Sequence, residues 1–150
     1  MPVRIARAAQ WGIFLMLLSW PAMAATEITV YKAATCGCCS MWVDHLKTNG
    51  FTVTVNTVAD VNEFKDKYGV PQALQSCHTG LVEGYVIEGH VPAADIQRLL
   101  KEKPKGKGLA VPGMPMGAPG MDMGGSRQAY DVLLFDENGK TTVFQRYEAK

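Results

Sequence analysis

Three thiols fall within four positions of the stretch Thr35-Cys36-Gly37-Cys38-Cys39-Ser40, at the point where a strand pattern gives way to a helix pattern. That junction constrains the fold more than any other feature, because a strand must deliver the cysteines and a helix must begin on them. Upstream, Glu27-Ile28-Thr29-Val30-Tyr31-Lys32 alternates polar and apolar side chains and is rich in β-formers, as a strand is. Downstream, Met41, Trp42, Val43 and Leu46 suit a helix, and Asn49-Gly50 supplies its stop. Two chemistries share these residues. Cys36 and Cys39 form a Cys-x-x-Cys redox pair, while Cys36, Gly37 and Cys38 form a Cys-x-Cys chelate with a third sulfur attached.

The following segments repeat the alternation of strand and helix. Residues 51–58 place Phe51, Val53, Val55 and Thr57 on one side and Thr52, Thr54 and Asn56 on the other, predicting a second strand. Asp60 with Glu63 resembles a capping box opening a helix that carries Val61, Phe64 and Tyr68; Gly69 ends it and Pro71 cannot continue it. A βαβ order places the two strands parallel in one sheet. Residues 79–89 read as two short strands hinged near Glu83-Gly84, and Pro92 suits the first turn of a third helix with Ala93, Ile96, Leu99 and Leu100 as its buried stripe. The expected fold class is therefore α/β with a thioredoxin-like β-α-β-α-β-β-α core over 27–103, its redox pair between the first strand and the first helix.

Residues 101–108 read as a solvated connection. The Pro, Gly and Met segment 109–123 shows no helical or strand period, yet carries Met114, Met116, Met121 and Met123 within ten positions. Apolar thioethers gain nothing from water in an exposed linker. Segments 130–135 and 141–147 predict a C-terminal β-hairpin across Asp136-Glu137-Asn138-Gly139-Lys140, whose Asn-Gly suits a turn needing positive φ.

Residues 1–24 read as an address. Arg4 and Arg7 precede an apolar run over 11–20, and Ala22-Met23-Ala24 offers a small-x-small cleavage site, the pattern of a secretory signal peptide. The run is too short to span a membrane, so no span is expected after cleavage near Ala24. Removing it takes two of the 15 basic residues and none of the 14 acidic ones, leaving a formal charge of −1. That balance carries no nucleic-acid signature. Residues 25–150 fit a single domain. Export places the four cysteines in an oxidising compartment, where disulfides are permitted.

A cysteine at a helix N-terminus faces unpaired N–H groups and the positive end of the dipole, so Cys36 is expected to be the nucleophile and Cys39 the resolving partner in a thiol oxidoreductase reading. Cys38 has no use in that reading. A metal site uses it directly, since clustered thiolates bridge soft cations and Gly37 lets the backbone turn tightly around them. In a thioredoxin-like fold the loop before the third strand faces the redox pair. Here it is Ser76-Cys77-His78-Thr79, without the usual cis-proline, and it brings a fourth sulfur and an imidazole toward the other three. Purely structural disulfides, with three possible connectivities, and a four-thiolate zinc site remain open at this point. Among the histidines, His78 has the best claim to ligation; His45 reads as an ordinary helix residue and His90 as bonding its own turn. Trp42 reads as core. Thiolates and thioethers favour Cu(I), and imidazole also accepts Cu(II), so copper is the expected metal, with the Met-x-Met pairs as a soft lip over the sulfurs.

Thr35-Cys36-Gly37-Cys38-Cys39, Ser76-Cys77-His78-Thr79, Gly84-Tyr85-Val86-Ile87-Glu88-Gly89-His90-Val91-Pro92 and Gly108-Leu109-Ala110-Val111-Pro112-Gly113-Met114-Pro115 together resemble the CopG-type family of exported bacterial copper-resistance proteins. The resemblance runs over about residues 27–147. It implies a thioredoxin-like fold, a periplasmic location, copper bound by the cysteine motif and a role in copper redox handling. By position it implies Cys36, Cys38, Cys39 and Cys77 as metal ligands, with His78, His90, Met114 and Met121 as helpers. The leading expectation is a periplasmic protein holding one or more Cu(I) ions on this cluster, with a copper-handling or electron-transfer protein as a possible partner. The alternative is a periplasmic thiol-disulfide oxidoreductase using Cys36 and Cys39.

Overall fold

The computed structural model describes residues 25–150; the expected signal peptide, 1–24, lies outside them. The alternating segment after it forms β1 (Glu27–Ala33), and every second side chain from Ile28 is buried. The chain then turns into α1 (Gly37–Thr48), whose buried residues Cys39, Trp42, Val43 and Leu46 follow the three-and-four spacing of one helix face. Burying such side chains contributes about 1.5–3 kcal/mol each. Met41, grouped by sequence with that apolar set, points off the face and is 44% exposed.

β2 (Thr52–Val58) pairs with β1 in parallel, Glu27 opposite Thr52. As an edge strand it is mostly exposed, which its threonine-rich sequence tolerates. α2 (Val61–Lys67) starts at Asp60, whose Oδ1 accepts from the Asn62 N–H at 2.8 Å. Phe64 stacks on Tyr31 of β1 at 4.3 Å, and the residue α2 buries is Lys65. A 3-10 turn, Gln72–Leu74, leads to β3 (His78–Val82), antiparallel to β1, and β4 (Tyr85–Glu88), antiparallel to β3. α3 (Ala93–Glu102) buries Ala93, Asp95, Ile96 and Leu99.

The Met-rich region begins differently from its sequence reading. Gly108–Ala110 form β5, parallel to β4 and antiparallel to β6 (Tyr130–Phe135). Leu109, Ala110 and Val111 are fully buried. A strand of three residues, enclosed on both sides, has no room to display the alternation by which strands are recognised. β6 pairs with β7 (Thr141–Tyr147), so the hairpin extends the sheet to seven strands in the order β2-β1-β3-β4-β5-β6-β7. Gly139 takes the expected positive φ, and Asp136 Oδ1 accepts from the N–H groups of Asn138 and Lys140. The hairpin locks onto α3: Tyr147 donates to the buried Asp95 carboxylate at 2.7 Å, and the Arg98 guanidinium lies 3.8 Å over the Phe144 ring. Among the described residues, no helix is long and apolar enough to cross a membrane.

Strand directions fix where the chemistry collects. β1, β4 and β5 run the same way and β3 runs against them. The exit of β1 toward Cys36, the entry of β3 from Cys77, the exit of β4 toward His90 and the exit of β5 toward Met114 therefore share one end of the sheet.

Candidate metal centre

At that end, Lys32 stands opposite His78 in the β1–β3 register, so the three-cysteine loop and Cys77 emerge side by side. The sulfurs of Cys36, Cys38, Cys39 and Cys77 all lie within 4.8 Å of one another. Cys36 and Cys39 are joined by a disulfide, and Cys38 and Cys77 are free. Cys36 and Cys39, read from sequence as a Cys-x-x-Cys pair, are thus joined in its oxidised form, and Cys36 holds the N-cap of α1, its sulfur 3.3 Å from the Cys39 N–H. Cys38 Sγ lies 3.4 Å from Cys36 Sγ.

A second group shares Cys77. Its sulfur is 3.3 Å from His78 Nδ1 and 3.1 Å from His90 Nε2. His78, read from sequence as part of a loop, is the first residue of β3 and fully buried, against Trp42 at 4.2 Å and His90 at 4.8 Å. Each imidazole has its far nitrogen on a backbone carbonyl: His78 Nε2 on Gly89 O at 2.9 Å and His90 Nδ1 on Pro119 O at 2.8 Å. A carbonyl only accepts, so those nitrogens carry the hydrogens, and the nitrogens facing Cys77 present lone pairs. This is the arrangement by which outer groups orient metal-binding histidines. Burial holds both imidazoles below the ordinary value of 6.5, His78 well below it, with His90 adding to the effect on His78. Burial, followed by the neighbouring Cys38, pushes the Cys77 thiol up to about 11. The site therefore favours neutral rings and a protonated thiol until a cation replaces the proton.

Two glycines let the backbone close in. Gly89, at φ 72°, leaves no room for a side chain beside Val111 O and Ser76. Gly120, at φ 83°, packs against Cys38 O and the Trp42 N–H. The Met segment is consequently a strap across the start of α1, tied at Met116 by paired hydrogen bonds with Gln128 and at Gly113 by Ser76 Oγ. Met114 and Met121 each follow one of these anchored glycines. Met114 is 54% exposed, Met121 half-buried and Met123 69% exposed. His45 is more than an ordinary helix residue: its Nε2 accepts from the Ala93 N–H at 3.1 Å, supplying the cap that Pro92 lacks for α3.

Sequence reasoning missed the support beneath Cys77. Lys65 Nζ and Glu88 Oε1 form a buried ion pair at 2.6 Å, and Glu88 also accepts from the Ser76 N–H at 2.6 Å and from Thr79 Oγ1 at 2.7 Å. The available signal was Glu88 beside Gly89-His90 in an otherwise apolar strand.

The four sulfurs and two fixed imidazoles, with no carboxylate in either group, suit a soft cation. They define an α/β protein with a thiol and imidazole centre at one end of its sheet. Two solved structures, titled copper resistance protein CopG form 2 and form 1, are similar to the chain at 45% and 46% identity, each with a TM-score of 0.79 over 83% of this chain and 99% of theirs. The family described as "Protein of unknown function, DUF411" matches residues 74–121. No curated protein matches. The chain belongs to the CopG family of copper resistance proteins.

Proposed function

We propose that this chain is an exported, periplasmic copper-binding protein of copper resistance, holding Cu(I) as cargo on Cys36, Cys38, Cys39 and Cys77, with His78 and His90 completing the donor set. The observation that carries the reading is the convergence of four sulfurs within 4.8 Å, with Cys77 shared by two imidazoles whose lone pairs face it. Thiolates take soft monovalent copper, and imidazole accepts either oxidation state, so this donor set supports Cu(I)/Cu(II) cycling at one place. Reduction of the Cys36–Cys39 bond by two electrons and two protons from a dithiol, which itself becomes a disulfide, gives four thiols, and bound copper displaces their protons to solvent as it takes the thiolates. Met114 and Met121 lie on the strap and offer thioethers at its rim. Residues 1–24 act as the export signal.

The Cys36–Cys39 disulfide itself favours a second reading, thiol-disulfide exchange with Cys36 attacking and Cys39 resolving. Cys38→Ser separates the two. Copper per protein, measured after anaerobic Cu(I) loading of the reduced chain, drops sharply in this variant if the cluster is the working site, while dithiol exchange with a model disulfide is retained. Undiminished copper in this variant, with exchange retained, favours the oxidoreductase instead.

A further inference from the structure

The Ser76-Cys77 segment is a short connection that leads into β3 at His78, and Cys77 is required by both donor groups. Beneath it lies a closed polar network. Glu88 is fully buried, and its Oε1 takes both the Lys65 ammonium and the Ser76 N–H at 2.6 Å, while Oε2 takes Thr79 Oγ1 at 2.7 Å. Lys65 closes the ring on Thr79 Oγ1 at 3.1 Å. Ser76 and Thr79 flank the Cys77-His78 pair on either side. The network joins three elements, with Lys65 from α2 and Thr79 and Glu88 from facing positions of β3 and β4.

A buried ion pair is a poor device for stability, since desolvation costs as much as the attraction returns, and apolar replacement of both partners is often neutral or better. Fixing one geometry is a better account of it. We propose that Glu88, neutralised by Lys65, is a positioning residue: its carboxylate pins the Ser76 amide so that Cys77 Sγ faces the other three sulfurs and the two imidazoles together. The inference rests on the copper-binding reading, because it assigns Glu88 and Lys65 to the same centre. Neither residue belongs to either donor group.

Two double variants isolate the role. Lys65→Met/Glu88→Gln removes both charges but keeps an amide oxygen for the Ser76 N–H and an amide hydrogen for Thr79 Oγ1. Lys65→Met/Glu88→Met removes the charges and the acceptor. Both are expected to unfold at similar temperatures. Competition for Cu(I) against a chromophoric chelator should stay near the parent for the Gln variant and weaken by about tenfold to a hundredfold for the Met variant, the range for outer groups that orient ligands. In a Cys38→Ser background, Cys77 is the lone free thiol beside the disulfide, and its metal-free alkylation by iodoacetamide should speed up several-fold in the Met variant alone. That second measurement needs no copper, so it separates a failed positioning role from a failed copper reading. Equal alkylation and equal competition in two folded double variants overturn the proposal. If either variant does not fold, hydrogen exchange of the parent decides: a Ser76 amide protected like the core strands supports the pin, and one exchanging like an exposed loop amide overturns it.

Discussion

The imidazole side of the centre and the methionine strap above it are built in opposite ways. His78 and His90 are buried, and each is held at its far nitrogen by a carbonyl. Met114 and Met123 stand more than half exposed on a loop whose backbone, at Gly113, Met116 and Gly120, is tied down. Donors fixed before binding lose little freedom when a cation arrives, whereas a free thioether must be ordered at that moment. The difference teaches that the fold commits its packing to Cys77 and the two rings, and leaves the Met114 and Met123 thioethers largely in solvent.

The sharpest way to break that contrast is Cys77→Ser, which removes the one atom common to both donor groups. Copper retained per protein should fall to near background, well beyond the tenfold to hundredfold that outer groups command. Trp42→Ala tests whether the rigid side is held by packing: Trp42 lies against His78 and donates to Val91 O at 2.8 Å, and its loss should cost about 3–5 kcal/mol in denaturant unfolding. His90→Ala should weaken Cu(I) competition while leaving Cys77 free to alkylate.

A pH titration sharpens the same point without metal. Burial lowers His45, His78 and His90 below the ordinary 6.5, so the unfolded chain takes up protons first as pH falls. Stability of the metal-free protein should be flat from about pH 6.5 to about pH 8, between the imidazole and thiol ranges. It should decline above that window because the folded chain keeps the Cys77 proton longer than the unfolded chain, and decline below it until the folded rings protonate. His45→Gln should flatten part of that slope and cost about 1 kcal/mol through the α3 cap. The smallest effect belongs to Met123→Leu, a volume-conserving change at an exposed site, which should leave melting temperature and equilibrium copper affinity unmoved. A large loss there would mean that the strap is part of the built site after all.

Local periodicity carried much of the fold. The β1 alternation, the α1 face through Trp42, Val43 and Leu46, and the Asn-Gly hairpin were legible because each pattern is set by near neighbours. β5 was not, because a three-residue strand enclosed by β4 and β6 shows no period, and its identity lies in partners more than twenty residues away. The four cysteines were legible as a set from their spacing and from Cys77 preceding β3. The Cys36–Cys39 pairing left alternatives open in sequence. The orientation of His90, which depends on Pro119 O across the strap, and the Lys65–Glu88 pair under Ser76 are tertiary facts that no local pattern encodes.

In the proposed function all four sulfurs grip one copper centre. Anaerobic loading of the fully reduced protein with Cu(I), followed by timed alkylation and counting of modified cysteines, tests it most directly. Cys36, Cys38, Cys39 and Cys77 should be protected together on loading and released together by a chelator. Copper-loaded protein in which Cys38 or Cys77 alkylates as fast as in the metal-free reduced chain would contradict it.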